Sequence, residues 1–172
     1  MGQPKAAIVV DGTSLADRTA ALLALVSDPV IEVGPGYTNL VRVQESPAGG
    51  GPLAAVAAGW ATVARSRESA LVVATDLPRL TAGLLGWLAT HPSPQSVVPI
   101  DRDGRPQPLC ARYSATDLMV AGELVANGQR AMHAWLDRIE VTWAPASDWE
   151  APAGQADALD DVDTPAALKG DS

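Results

Sequence analysis

A continuous apolar run, Ala70-Leu71-Val72-Val73-Ala74, constrains the fold more than any other feature of the chain. Such a run is typical of a strand that is covered on both faces of a sheet. This one leads directly into Thr75-Asp76-Leu77-Pro78. Other short apolar runs alternate with helical stretches, and Gly, Pro or Asp bounds each run. The alternation predicts βαβ units around a largely parallel sheet.

The same alternation predicts the order of the elements. Turn signals predict a hairpin through Asp103-Gly104 and a loop at residues 149–155. The chain has no internal repeat and no interdomain linker, so residues 1–172 are predicted to form one domain. Strands are predicted at residues 6–10, 30–33, 40–43, 70–74, 96–100 and 139–143. Helices are predicted after the turn at residues 11–12, from the Gly-rich loop through residue 63, and at residues 81–90, 116–126, 131–136 and 166–168.

Composition excludes several classes of protein. Hydrophobic residues make up 47% of the 172 residues, which is enough for a sizeable core and too many for a disordered acidic chain. The formal net charge of −8 argues against a nucleic-acid partner, because neutralising phosphates requires clustered Lys and Arg. No apolar run is long enough to span a membrane or to form a secretory signal, so we expect a cytoplasmic protein with no membrane partner. The single cysteine, Cys110, cannot form an internal disulfide and is predicted to be a packed thiol.

Two groups of carboxylates are candidate metal ligands. Asp76 follows the most apolar strand, at the sheet edge where open α/β folds bind ligands; the alternative is that it caps the following helix or satisfies a turn before Pro78. Asp161 and Asp163 lie on the same side of an extended chain, which suits Mg²⁺, although acidic residues near a C-terminus are more often only solvated.

Two further features are candidates for phosphate binding. The loop Gly49-Gly50-Gly51-Pro52 precedes a helix, and such a loop lets backbone approach a ligand closely, although an ordinary turn has the same composition. Lys5 is one of only two lysines, and its ammonium group could neutralise phosphate. His91 and His133 have no metal-ligand spacing, so we interpret both as structural or surface residues.

Several segments occur in an order and spacing that are specific when taken together. They are Met1-Gly2-Gln3-Pro4-Lys5, Glu45-Ser46 followed by Gly51-Pro52-Leu53, Thr75-Asp76-Leu77-Pro78, Gly104-Arg105-Pro106-Gln107-Pro108-Leu109, Gly128-Gln129-Arg130 and Asp161-Val162-Asp163-Thr164-Pro165. These segments resemble, in the same order, six motifs of the molybdenum cofactor guanylyltransferase family. The family motifs are the end of the N-terminal signature L-x-G-G-x-S-x-R-M-G-x-x-K, an acidic residue followed by a G-P-L loop, C-D-x-P, an H/Q-P segment, G-E-R, and N/D-x-N/D-T-P. The resemblance runs nearly end to end.

The resemblance implies a three-layer, Rossmann-like nucleotidyltransferase fold of the glycosyltransferase-A type with a mostly parallel central sheet. It also implies transfer of GMP from GTP to molybdopterin with release of pyrophosphate and with Mg²⁺ as cofactor. Other cofactor-biosynthesis proteins or molybdoenzymes are possible partners. In this interpretation Asp76 holds the metal, Lys5 stabilises phosphate charge, and the remaining nucleotide-binding residues are Gly34, Glu45, Gly51 and Pro52. The acceptor side comprises Gln107, Pro108, Arg130, Asp161 and Asp163, the last two replacing side chains that are often Asn in the family.

The main departure from the family pattern is at the N-terminus. The sequence begins inside the signature, without the strand and the L-x-G-G-x-S loop that precede it, and we expect Met1 to be an internal methionine of a longer protein. A shortened relative without full activity is the other interpretation. The alternatives for function are a cytidylyltransferase, another small-molecule nucleotidyltransferase, and a non-catalytic module that only binds nucleotide.

Overall fold

The structure, a computed structural model, describes residues 5–46, 48–64 and 67–160, and in it one or two strands alternate with one or two helices. The strands are β1 (Val9–Val10), β2 (Thr13–Ser14), β3 (Ile31–Val33), β4 (Val41–Val43), β5 (Ser69–Val73), β6 (Ser96–Pro99), β7 (Cys110–Ser114) and β8 (Val141–Ala144). The helices are α1 (Leu15–Ala24), α2 (Pro52–Val63), α3 (Ala82–Thr90), α4 (Ala115–Ala126), α5 (Met132–Leu136) and α6 (Ala146–Ala153), and a 3₁₀ turn spans Lys5–Ala7. The helix predicted at residues 166–168 lies outside the described residues.

The main sheet has the strand order β5-β7-β6-β8. β7 is antiparallel to both of its neighbours, whereas β6 and β8 are parallel, so β5, β6 and β8 run in the same direction. β7 is reversed because a hairpin joins it to β6, as predicted. Gly104, with φ of +80°, lies in its turn, and the Asp101 carboxylate accepts hydrogen bonds from the Asp103 and Arg105 amides at 2.9 and 2.8 Å.

Helices cover both faces of this sheet, which confirms the expected layered α/β architecture. Val97 and Val98 are adjacent in β6 and fully buried, yet they belong to different core clusters because side chains alternate along a strand. One cluster includes Leu84, Leu85, Leu88 and Trp149 from α3 and α6, and the other includes Leu53, Trp60, Leu118 and Trp135 from α2, α4 and α5. None of the described helices is long and apolar enough to cross a membrane.

Cys110 is the packed thiol that the sequence predicts. It is buried in β7, and burial raises its pKa to about 12. The thiol therefore stays protonated at neutral pH and is a poor nucleophile.

The strands β3 and β4 form a separate parallel pair, in which Ile31 lies opposite Val41. Among the described residues, no strand joins this pair to the main sheet. Helix α2 packs against β3 on one side and against α4 on the other. The strand pair is therefore attached to the rest of the fold through helix α2.

The predicted strand at residues 6–10 is wrong in extent and in its place in the fold. Lys5–Ala7 form the 3₁₀ turn, and only Val9–Val10 are extended. They pair antiparallel with Thr13–Ser14, because Asp11 and Gly12 both adopt positive φ (52° and 82°), the backbone twist of a tight two-residue hairpin. The reversal keeps this segment out of the main sheet.

The predicted loop at residues 149–155 is also wrong, because the chain there belongs largely to helix α6. Trp149 is fully buried, and its Nε1 donates to the Ile100 carbonyl at 3.0 Å. Pro152 lies inside the helix, where its nitrogen cannot donate the hydrogen bond to the carbonyl four residues back, and Gly154 ends the helix in the left-handed conformation. Burial of the indole therefore outweighs the local Pro and Gly signals.

Candidate functional site

An ion pair at the carboxyl end of β5 is the centre of the candidate site. The Lys5 Nζ lies 3.6 Å from Asp76 Oδ2, and the two side chains are 41% and 32% exposed, so a ligand in solution can reach both. Asp76 follows β5 after a short turn, and the buried side chains of Leu77 and Pro78 anchor the chain directly beyond it. The alternative that Asp76 caps the next helix is excluded. Thr81 is the N-cap of α3, and its hydroxyl accepts from the Leu84 amide at 3.2 Å.

Gln107 and Pro108 lie beside Asp76, where all three line a cavity of about 180 Å³. The Gln107 side chain is held by donation to Asp101 Oδ2 at 2.8 Å, and its backbone amide donates to the Pro99 carbonyl at 2.8 Å. The Pro108 carbonyl accepts from the Tyr113 hydroxyl at 2.8 Å. Burial raises the pKa of Tyr113, so the hydroxyl remains a donor at neutral pH. The β6–β7 hairpin therefore brings Gln107 and Pro108, which are predicted to contact the acceptor substrate, next to Asp76, the predicted metal ligand.

A second, larger cavity of about 690 Å³ also reaches Lys5 and Asp76, and Pro52 is among its lining residues. Gly51 is the N-cap of α2 with φ of +86°, and Pro52 occupies the first turn, a position where proline costs no hydrogen bond. The loop before α2 is ordered in part by Glu45, whose Oε1 accepts from the Gly49 amide at 3.0 Å. Pro52 thus shares a cavity with the ion pair, whereas Glu45 and Gly51 lie in the adjoining loop.

Gly34 lies just after β3, where its amide donates to the Val43 carbonyl at 2.9 Å. Its own carbonyl accepts from Arg42 Nε at 2.9 Å. Its φ of +135° is one that residues with side chains rarely adopt. The structure gives Gly34 a clear backbone role.

Arg130 is held at the end of α4. Its guanidinium donates to the Val125 and Gln129 carbonyls at 2.8 and 2.7 Å, as basic side chains often do at helix C-termini. The structure therefore shows a structural role for Arg130. Asp161 and Asp163 lie outside the described residues. In the part of the chain that is described, no three His, Cys, Asp or Glu side chains form a potential metal cluster.

Glu32 was missed by the sequence analysis although it lines the larger cavity. Its carboxylate accepts from the Tyr37 amide at 2.6 Å, and from the Thr38 amide and hydroxyl at 2.8 and 2.7 Å. Burial alone would raise the pKa of Glu32, but these hydrogen bonds together lower it. A carboxylate inside a short apolar strand, followed by Gly34-Pro35-Gly36, is the signal that could have identified it.

The fold is one that Rossmann-like nucleotidyltransferases share. The structure matches that of molybdopterin-guanine dinucleotide biosynthesis protein A from Archaeoglobus fulgidus with a TM-score of 0.76 and 18% identity, covering 98% of this chain and 88% of that one. It also matches 2-C-methyl-D-erythritol 4-phosphate cytidylyltransferase from Thermus thermophilus with a TM-score of 0.64 and 18% identity, covering 97% of this chain and 91% of that one.

Sequence comparison identifies the protein family to which the chain belongs. Residues 1–147 match the model of the MobA-like NTP transferase domain, and the chain belongs to that family. A probable molybdenum cofactor guanylyltransferase from Synechococcus elongatus is 30% identical over 168 residues, a match that covers 86% of this chain and 82% of the relative. The family resemblance noted in the sequence is thereby confirmed.

Proposed function

We propose that the protein transfers GMP from GTP to molybdopterin and releases pyrophosphate. The observation that carries this proposal is the Lys5–Asp76 pair, which lies at the ligand-binding edge of the sheet and next to Gln107 and Pro108. The named function of the Synechococcus relative supports guanine and molybdopterin as the substrates. We further propose that the protein acts in the cytoplasm, in contact with other proteins that make or use the cofactor.

The donor set at Asp76 fits Mg²⁺. This cation is usually held by one or two carboxylates together with substrate phosphates and water, so it needs no cage of protein ligands. Asp76 offers one accessible carboxylate of this kind, and we propose that it is the metal ligand. When bound, the cation would neutralise charge on the triphosphate.

Lys5 would supply a second positive charge to the same substrate. In the proposed reaction a terminal phosphate oxygen of molybdopterin attacks the α-phosphorus of GTP. The new P–O bond forms as the bond to the β-phosphate breaks, and the electron pair leaves with pyrophosphate. An ammonium group beside Asp76 is placed to stabilise negative charge that develops on the phosphates. Positioning and charge neutralisation are the main contributions of a protein to such a transfer.

The remaining proposed contacts divide between the two substrates. The loops after β3 and β4 would contact the guanosine, and Glu45 orders one of them through Gly49. The β6–β7 hairpin would contact the pterin phosphate, because Gln107 is already fixed there by Asp101. The proposed guanosine-side residues are Gly34, Glu45, Gly51 and Pro52, and the proposed acceptor-side residues are Gln107, Pro108, Arg130, Asp161 and Asp163.

The test is pyrophosphate release with Mg²⁺ and molybdopterin, measured separately with GTP and with CTP. We expect turnover with GTP, and we expect Asp76→Asn to lower it by about 10²-fold or more. Glu140→Gln is the matched control. Glu140 is also an exposed carboxylate, but it precedes β8 at the opposite end of the sheet, where it accepts a hydrogen bond from Gln95. Preference for CTP would favour the cytidylyltransferase alternative. Equal activity of Asp76→Asn and Glu140→Gln would remove Asp76 from the metal role.

A further inference from the structure

One carboxylate organises the tip of the β6–β7 hairpin. Asp101 Oδ1 accepts hydrogen bonds from the backbone amides of Asp103 and Arg105 at 2.9 and 2.8 Å, and the Asp101 backbone amide donates to the Arg105 carbonyl at 2.9 Å. Asp101 Oδ2 accepts from Gln107 Nε2 at 2.8 Å. The two oxygens therefore make different contacts. Oδ1 holds the turn, and Oδ2 holds a side chain that lines the cavity of about 180 Å³ beside Asp76.

The contact with Asp101 fixes the orientation of the Gln107 side-chain amide. A carboxylate has only acceptor oxygens, so the amide must turn its nitrogen, and not its oxygen, toward Asp101. This bond uses one of the two Nε2 hydrogens. The second hydrogen and Oε1 remain for other partners, at positions that the planar amide determines. The backbone amide of Gln107 also donates to the Pro99 carbonyl at 2.8 Å, so the residue is held at its backbone and at its side chain.

We propose that Asp101 is a positioning residue, which determines where Gln107 presents a donor and where it presents an acceptor to the molybdopterin substrate. The inference rests on the proposed function, in which Gln107 contacts that substrate. Among the described residues, Gln107 lines the cavity beside Asp76 and Asp101 does not. Asp101 therefore acts through Gln107. A ligand group that pairs with the amide in one orientation meets the wrong polarity in the other, because a donor then faces a donor or an acceptor faces an acceptor.

The substitution Asp101→Asn tests this assignment because it keeps the turn and reverses the amide. The asparagine oxygen can still accept from the backbone amides of Asp103 and Arg105, and these two hydrogen bonds keep it turned toward them. Its nitrogen then faces Gln107 Nε2, and two NH₂ groups cannot bond to each other. The Gln107 amide must turn over so that Oε1 accepts from the asparagine nitrogen. This rotation exchanges the donor and the acceptor that Gln107 presents to a ligand.

Steady-state kinetics measure the KM for molybdopterin and the KM for GTP separately. For Asp101→Asn we expect the KM for molybdopterin to rise about 10-fold, the effect of one misplaced hydrogen bond, while kcat and the KM for GTP change by less than about 2-fold. Asp103→Asn is the matched control, because it removes the same charge from the same hairpin. Asp103 is 71% exposed and lies 3.5 Å from Arg105, so its replacement should leave all three values unchanged. Equal effects of the two substitutions would overturn the proposal.

A second comparison tests whether Asp101 acts through Gln107. In a Gln107→Ala background, Asp101→Asn should cause no further rise in the KM for molybdopterin, because the side chain that it reorients is absent. A 10-fold rise that persists in this background would overturn the proposal.

Nuclear magnetic resonance of the ligand-free protein separates a failure of this inference from a failure of the proposed function. The Gln107 side-chain amide is identified as the NH₂ signal that is missing in Gln107→Ala. We expect its exchange with water to be about 10-fold faster in Asp101→Asn than in the parent and in Asp103→Asn, because Nε2 loses its carboxylate partner. Equal exchange in all three would overturn the positioning role. If the parent releases no pyrophosphate from GTP with molybdopterin, the proposed function fails, and this exchange rate then decides whether Asp101 orients Gln107.

Discussion

Replacing Gly83 with alanine tests the close packing of α3 against α6. A Cβ built at Gly83 would overlap the Pro152 carbonyl oxygen, and would lie 3.3 Å from the Pro152 carbonyl carbon and 3.5 Å from Ala153 Cα. The obstacle is backbone, so no side-chain rotation can relieve it. The helices must separate, which also strains the 2.9 Å hydrogen bond from the Thr81 hydroxyl to the Ala153 carbonyl.

Two opposing effects determine how much Gly83→Ala changes the free energy of unfolding. Glycine in a helix interior is less favourable than alanine by about 0.8–1 kcal/mol, and Gly83 is the second residue of α3, so the substitution gains at most that amount from helix propensity. Forcing a methyl group into a closely packed contact typically costs about 1–3 kcal/mol, and a backbone obstacle favours the upper part of that range. We therefore expect Gly83→Ala to lower the free energy of unfolding by about 1–2 kcal/mol.

Gly86 provides the matched control within the same helix. A Cβ there would lie 3.9 Å from Val26 Cγ1, which is ordinary van der Waals contact. Gly86→Ala should therefore raise the free energy of unfolding by up to about 1 kcal/mol. Both variants gain helix propensity, Gly83→Ala at most as much as Gly86→Ala, so a loss of stability in Gly83→Ala reports the overlap with Pro152.

Urea unfolding followed by circular dichroism measures both values, and thermal unfolding should show a shift of about 2–4 °C for each kcal/mol. The reasoning would be refuted if Gly83→Ala were as stable as Gly86→Ala. Such a result would mean that α6 can move away from α3 without loss of stability.

Three further predictions concern individual side chains. Lys5→Ala should reduce turnover of GTP by about 10²-fold in steady-state kinetics if the ammonium group stabilises developing phosphate charge; unchanged kinetics would assign Lys5 to the surface. Glu32→Gln should lower the urea midpoint at neutral pH, because an amide cannot accept all three hydrogen bonds from Tyr37 and Thr38. The pKa of Glu32 is lower in the folded state than its ordinary value of 4.5, so its contribution to stability is present above that pH and is lost as the pH falls through the folded value. A pH titration of the urea midpoint should therefore be flatter below about pH 4.5 in Glu32→Gln than in the parent, and identical profiles would contradict this role. Cys110 should react with a thiol reagent only after unfolding, because it is buried and its pKa is raised to about 12; rapid labelling of the native protein would contradict its packed position.

Local signals in the sequence predicted most elements correctly. The hairpin at Asp103-Gly104 depends on turn residues that act over a few positions, and the structure contains it. The final edge strand, predicted at residues 139–143, is present as β8 beside β6. Both predictions rest on the local conformational preferences of turn residues and strand residues, and tertiary packing does not override these preferences here.

The two wrong predictions have different physical causes. The residues around Pro152 and Gly154 have the composition of a loop, yet burial of Trp149 in the core holds most of that segment in a helix. Residues 6–10 have the composition of a sheet strand, yet the positive φ angles of Asp11 and Gly12 turn Val9–Val10 back onto Thr13–Ser14. In the first case tertiary packing outweighs local preference, and in the second the turn decides where the apolar run pairs.

The sequence by itself determined the α/β class, the order of most elements and the position of Asp76 at the end of the most apolar strand. These properties follow from hydrophobic periodicity and from turn residues, which act locally. Only the tertiary structure decided that Lys5 lies 3.6 Å from Asp76, that Asp101 orients Gln107 beside the same carboxylate, and that Arg130 binds helix carbonyls. Such contacts join residues through the packing of whole elements and specific side-chain hydrogen bonds, and no periodic pattern along the chain specifies them.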